Sequence, residues 1–183
     1  MTLPSELSSV TARTMRLYLL RHAEAVPRGT PGISKDAERP LTDEGRQQAA
    51  DVGEGLRRLK AAVGLIVTSP YLRAAQTAEQ VRRRLDEALE VRELDALQPE
   101  STSRHTSLAL RGLDGHAELL FVGHEPHLSG WLAELIAPKG LRCDFKKAGV
   151  ACVEIGRVPP PAGSGTLRWF LTPRQLRLIG QAP

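Results

Sequence analysis

Three short stretches set oxyanion-binding side chains where an apolar run gives way. The run Leu17 to Leu20 ends in Arg21-His22, "LIVTSP" is followed by Arg73, and "LLFV" runs into Gly123-His124. Two of these groups are guanidiniums, which stay charged and grip phosphate oxygens through paired donors. The other two are imidazoles. A phosphoryl group in transfer spreads charge over its equatorial oxygens, so positioned cations supply much of its catalysis. A neutral imidazole is a competent nucleophile toward phosphorus, and surrounding cations disfavour its protonated form. The residue types therefore predict that Arg21 holds a phosphoryl group and His22 attacks it.

The elements that must position these groups follow from periodicity. Residues 16–20 read as a strand. From Leu41, "LTDEGRQQAADVGEGLRRLK" reads as a helix: Thr42 caps it, Asp43 and Glu44 suit its positive end, and Ala49, Val52, Leu56 and Leu59 share one face. Gly53 and Gly55 weaken it without excluding it. A strand over 64–70 precedes a helix whose inward face is Ala74, Ala78, Val81 and Leu85. "LEVRE" reads as a third strand, residues 102–111 as a weak helix, and "AELLFV" as a fourth strand. The helix "PHLSGWLAELI" turns Leu128, Trp131, Leu132 and Leu135 inward. "AGVACVEI" and "GTLRWFL" flank a Pro/Gly-rich connection and read as a hairpin-like pair. Thr172-Pro173 opens a last short helix. Strands alternating with helices argue a largely parallel α/β sheet covered on both faces. Ligands of such sheets lie beyond the carboxyl ends of the strands, where all three stretches fall. The loop 26–40 directly follows the Arg-His pair and is expected to wall the site.

Taken in this order, "LRHAEA", "SPYLRAAQTAE" and "VGHEPHLS" resemble the signature blocks of the histidine phosphatase superfamily, the phosphoglycerate mutase-like clan. "DAERPLTDEGRQQA" and the short chain resemble its SixA-type phosphohistidine phosphatase branch. The first block often reads Arg-His-Gly in that family, and Ala23 is a small substitute. The resemblance runs from about Met15 to the chain end. It implies a three-layer α/β/α sandwich, His22 as the phosphorylated nucleophile, and Arg21, Arg73 and His124 as the remaining catalytic and phosphate-binding groups. It also implies a two-step reaction with no metal and no cofactor. Larger relatives take an acidic proton donor from the segment after the second block. Glu93 is the candidate there, with Glu100 nearby, although neither matches a family motif.

Composition is that of a soluble globular protein, with 183 residues, 41% hydrophobic and 25% charged. Residues 1–14 are polar and aperiodic and read as a flexible extension before one domain over 15–183. No secretory signal or membrane-length apolar run is present, and Cys143 and Cys152 form no disulfide or zinc pattern, so a cytoplasmic location is expected. The formal charge of +4 fits a phosphorylated substrate. Seven scattered aromatics and the lack of a nucleic-acid motif argue against nucleic acid. Arg82-Arg83-Arg84 reads as a solvated helix face. His124-Glu125-Pro126-His127 lacks the spacing of a metal-binding helix. Glu24 and Glu125 are read as orienting the pocket arginines, with a helix-start role equally open for Glu125. Ser69 and Thr77 read as turn and helix residues, and His105 and His116 receive no role. The expected partner is a phosphorylated protein carrying phosphohistidine. A phosphomonoesterase for a sugar phosphate or nucleotide, and a non-catalytic phosphoryl-binding module, stand beside that reading.

Overall fold

The computed structural model describes residues 14–182, so the extension expected over 1–14 lies outside the described residues apart from Thr14. The central sheet has six strands in the order β3-β2-β4-β1-β5-β6. Strands β1 (Met15–Arg21), β2 (Leu65–Thr68), β3 (Val91–Glu93) and β4 (Glu118–Gly123) run parallel; β5 (Val150–Ile155) pairs antiparallel with β1, and β6 (Thr166–Leu171) pairs antiparallel with β5. Helices α1 (Asp43–Arg58), α2 (Leu72–Leu85) and α5 (Pro173–Gly180) cover one face. Helices α3 (Ser103–Ala109) and α4 (His127–Ile136) cover the other. This is the expected three-layer α/β/α sandwich.

The unbroken apolar run of β1 follows from this layering. Tyr18 and Leu20 enter the core under α1, while Leu17 and Leu19 enter the core under α4, so neither face can be polar. Helix starts follow the caps read in the sequence. Thr42 Oγ1 accepts the Gly45 N–H at 3.0 Å, and Thr172 with Gln175 forms a capping box behind Pro173. The inward faces of α2 and α4 are as expected, with Ala74, Ala78, Val81, Leu128, Trp131, Leu132 and Leu135 all buried and Leu85 packed at the margin.

Two details of α1 depart from the periodic reading. Leu59 is exposed rather than inward, because the helix ends at Arg58 and the chain turns through Lys60 at φ 57°. Gly53 and Gly55 mark near-contacts of backbone rather than weak points. A Cβ on Gly53 would lie 2.6 Å from Arg84 Cβ and 2.9 Å from the Val81 carbonyl oxygen; one on Gly55 would lie 2.7 Å from the Leu176 carbonyl oxygen. Helix α1 thus sits flush against α2 and α5, and α2 carries Arg73. Helix propensity alone would make Gly53→Ala stabilising by about 1 kcal/mol. We predict instead a loss of about 1–3 kcal/mol from overpacking, read as a lowered urea midpoint. An unchanged or raised midpoint would contradict the close approach.

Candidate active site

Strand register creates the site. β1 pairs with β4 so that Arg21 faces Gly123, and the next residue of each chain segment is a histidine. The His22 and His124 rings consequently lie with centroids 5.1 Å apart. β2 pairs Thr68 with Val122 on the other side of β4, and the Ser69 N–H donates to the Val122 carbonyl at 2.9 Å. Ser69 Oγ therefore arrives 2.9 Å from His124 Nε2. Helix α2 begins three residues later, and Arg73 in its first turn reaches His22.

The tautomer of His22 follows from its partner. Nδ1 lies 2.8 Å from the carbonyl oxygen of Ala23. A carbonyl only accepts, so Nδ1 carries the hydrogen and Nε2 carries the lone pair. Arg73 Nε–H meets that lone pair at 3.2 Å. The Ala23 peptide is itself held, since its N–H donates to Thr77 Oγ1 at 3.1 Å and that hydroxyl donates to the Arg73 carbonyl at 2.6 Å. Burial is the main force holding the imidazole of His22 neutral. The bond to Ala23 opposes it, and the charges of Arg73, Arg21 and Arg39 add to it, taking the pKa down to about 3.

His124 is likewise held neutral, at about 2, by burial first and then by His22, Arg73 and His127 against a small opposing effect of Asp36. Ser69 Oγ accepts the Tyr71 N–H at 3.3 Å and is hydrogen-bonded to His124 Nε2 at 2.9 Å. His124 Nδ1 is buried and has no hydrogen-bond partner among the described residues. Arg21 donates through Nη1 to the Phe145 carbonyl at 2.7 Å, and its buried Nε also lacks a partner. A buried polar atom without a partner is costly, and a guanidinium is well suited to donate to an oxyanion. The cleft has a volume of about 320 Å³ and is cation-rich, with Arg21, Arg28, Arg39, Arg73 and Lys147 against Asp36, Glu100 and Glu125.

The four residues read from the sequence, Arg21, His22, Arg73 and His124, all line this one cleft. Glu93 does not. It is exposed at the end of edge strand β3, whereas Glu100 lines the cleft and lies 3.4 Å from Tyr71 Oη. Neither acidic neighbour of a pocket histidine meets an arginine. Glu24 pairs with Lys147 at 2.6 Å, and Glu125 accepts from the backbone and hydroxyl of Ser129 at the start of α4. His127 is bound to Thr106 Oγ1 at 2.9 Å. Among the described residues no group of three or more His, Cys, Asp or Glu side chains is placed to hold a metal ion.

Sequence reasoning missed three contributors. Asp36, in the loop expected to wall the site, accepts from Arg28 Nε at 2.8 Å and Arg39 Nε at 2.9 Å, and lies 3.1 Å from Arg73 Nη2. Its carbonyl also takes Arg73 Nη1 at 2.8 Å. Burial alone would raise the Asp36 pKa, but the hydrogen bonds from Arg39 and Arg28 and the charges of Arg73 and Arg39 bring it down to about 2. Ser69 orients His124. Tyr71 lies edge-on to His124 at 5.1 Å and under the Arg73 guanidinium at 4.9 Å. The one available signal was position, since Ser69 and Tyr71 sit at a strand end and Asp36 in the loop after the Arg-His pair.

The family model described as "Histidine phosphatase superfamily (branch 1)" matches residues 17–101. Phosphohistidine phosphatase SixA of Escherichia coli (strain K12) is 28% identical over 166 residues, spanning 90% of this chain and 98% of the relative. An uncharacterized protein of a Picosynechococcus species is 33% identical over 162 residues, spanning 86% and 96% respectively. A solved structure of the protein histidine phosphatase SixA complexed with tungstate superposes with a TM-score of 0.77 at 28% identity, covering 88% of this chain and 99% of that one. The chain belongs to the histidine phosphatase superfamily and is a phosphatase.

The neutral imidazoles carry a stability signature. Between about pH 6.5 and the folded values near 3 and 2, the unfolded chain binds protons on both rings that the folded chain refuses. Stability therefore falls as pH drops through that window. From about pH 7 to about pH 5, we predict that the wild type loses on the order of 1–2 kcal/mol more per imidazole than a His22→Asn/His124→Asn variant, measured as urea midpoints in phosphate-free buffer. Equal losses would contradict the neutral, buried assignment.

Proposed function

We propose that this histidine phosphatase hydrolyses phosphohistidine in proteins, with His22 as its covalent nucleophile. The reading is carried by one observation: the Nε2 lone pair of a neutral His22 faces a cation-lined cleft with Arg73 Nε–H 3.2 Å away. In the first step that lone pair forms a bond to phosphorus while the bond from phosphorus to the substrate's imidazole nitrogen breaks. Arg21, Arg73 and His124 donate to the phosphoryl oxygens as charge builds. In the second step water attacks the phosphorus of phospho-His22, the P–Nε2 bond breaks, and inorganic phosphate and neutral His22 are restored.

The substrate class rests on chemistry and on access. A leaving imidazole nitrogen is basic enough to take a proton near neutral pH, so it needs less acid assistance than an alkoxide. That suits a cleft in which Asp36 is committed to arginines and Glu125 to a helix start, while Glu100 meets the Tyr71 hydroxyl at 3.4 Å. Between α2 and β4 the chain runs only through short β3, two single turns of 3₁₀ helix and short α3, with no large cap above the cleft. A side chain presented by another protein can therefore approach. The relative named phosphohistidine phosphatase supports the same class.

Brief incubation with labelled phosphohistidine protein, quenching and peptide mapping tests the mechanism. Acid-labile, base-stable label is expected on His22, and His22→Ala should lower turnover by at least about 10⁴-fold. Full turnover in that variant would overturn the assignment. Activity in excess chelator should be undiminished; a loss that zinc or magnesium restores would contradict the metal-free scheme. Against a panel of sugar phosphates and nucleotides, kcat/KM on the phosphohistidine protein should be higher by about tenfold or more. The reverse order would favour the small-metabolite phosphomonoesterase.

A further inference from the structure

A second cleft, of about 340 Å³, opens from the outer side of the loop that walls the phosphoryl pocket. The two share Arg28, Asp36 and Arg39 in their linings, so the second cleft adjoins the first. Its own lining adds Gly29, Ile33, Ser34 and Lys35. Gly29 has φ +82° and nothing within 4 Å of where a Cβ would stand, so this part of the wall presents bare backbone. Ile33 adds the apolar surface.

The charge of this cleft is lopsided. Arg28, Lys35 and Arg39 face one carboxylate, Asp36, which is already divided between Arg28, Arg39 and Arg73. Lys35 meets only Glu38, at 3.5 Å, in a pair of exposed side chains. The Arg28 and Lys35 side chains are 81% and 75% exposed. The phosphoryl pocket's own lining holds Glu100, Glu125 and Asp36 as well as its cations, whereas the second cleft has Asp36 as its one acidic lining residue.

We propose that this second cleft reads acidic residues flanking the phosphorylated residue of a protein substrate, so that the enzyme prefers an acidic segment on that side. The inference rests on the protein-substrate reading above. A lone small anion gains little from two cations so exposed. An extended segment combines their attraction with contact along Ile33 and the bare backbone of Gly29, and complementary charge speeds encounter.

The test uses the full chain and synthetic peptides centred on phosphohistidine or on phosphoserine, each with flanking Asp/Glu or flanking Ala. The wild type should favour acidic over neutral flanks by about fivefold in kcat/KM at low salt, and less in high salt. Lys35→Glu, a surface change away from the phosphoryl pocket, should abolish or invert that preference while turnover of p-nitrophenyl phosphate stays within about twofold. Equal use of acidic and neutral flanks by the wild type would overturn the proposal, as would a preference that survives Lys35→Glu. So would a fall on p-nitrophenyl phosphate as large as that on the acidic peptide. The flank ratio tests this cleft, whereas the ratio of phosphohistidine to phosphoserine centres tests the proposed substrate, so the two failures are separable.

Discussion

One hydrogen bond decides what the cleft can do. By donating Nδ1–H to the carbonyl of Ala23, His22 exposes the lone pair of Nε2 and no other atom to the cations around it. The opposite tautomer would put N–H against N–H at Arg73 and set the Nδ1 lone pair against the carbonyl oxygen of Ala23. The Ala23 carbonyl is therefore as consequential as the imidazole. Its peptide is pinned through Thr77 to the same helix that carries Arg73. The peptide that sets the His22 tautomer and the cation that faces its lone pair are thus tied to one helix, α2, which packs flush against α1.

The electrostatics follow from the same placement. Burial is the main reason His22 sheds its proton, and the three arginines around it drive this further. The cations cannot be left uncompensated either. Asp36 answers three of them through one carboxylate and a backbone carbonyl, which orients the Arg73 fork without occupying all of its donors. Arg21 Nε and His124 Nδ1 are left buried and unpaired. Both residues line the cleft, so polar groups without a partner among the described residues border the space that the proposed reaction uses.

Much of this was legible in the residues. The convergence of Arg21, Arg73 and His124 on His22 follows from three strand ends and the rule for ligands of parallel sheets, and the register of β1 with β4 realises it. Helix caps at Thr42 and Thr172 were equally plain. Periodicity, however, reports which side of an element is buried and not what it meets there. Gly53 and Gly55 therefore read as defects until their neighbours were known. Asp36 and Ser69 escaped for the same reason, since their partners lie 37 and 55 residues away in the chain. Glu93 was favoured by its place after the second block, yet a three-residue edge strand carries it away from the cleft, and the turn after it brings Glu100 instead.

The most direct test of the account is the protonation state of His22 itself, read from the ring nitrogen chemical shifts of ¹⁵N-labelled protein across a pH titration. The account predicts the Nδ1–H tautomer at neutral pH, with Nε2 showing the shift of an unprotonated nitrogen and no titration near the ordinary histidine value of about 6.5. An Nε2–H tautomer, or an imidazolium forming near that value, would contradict it.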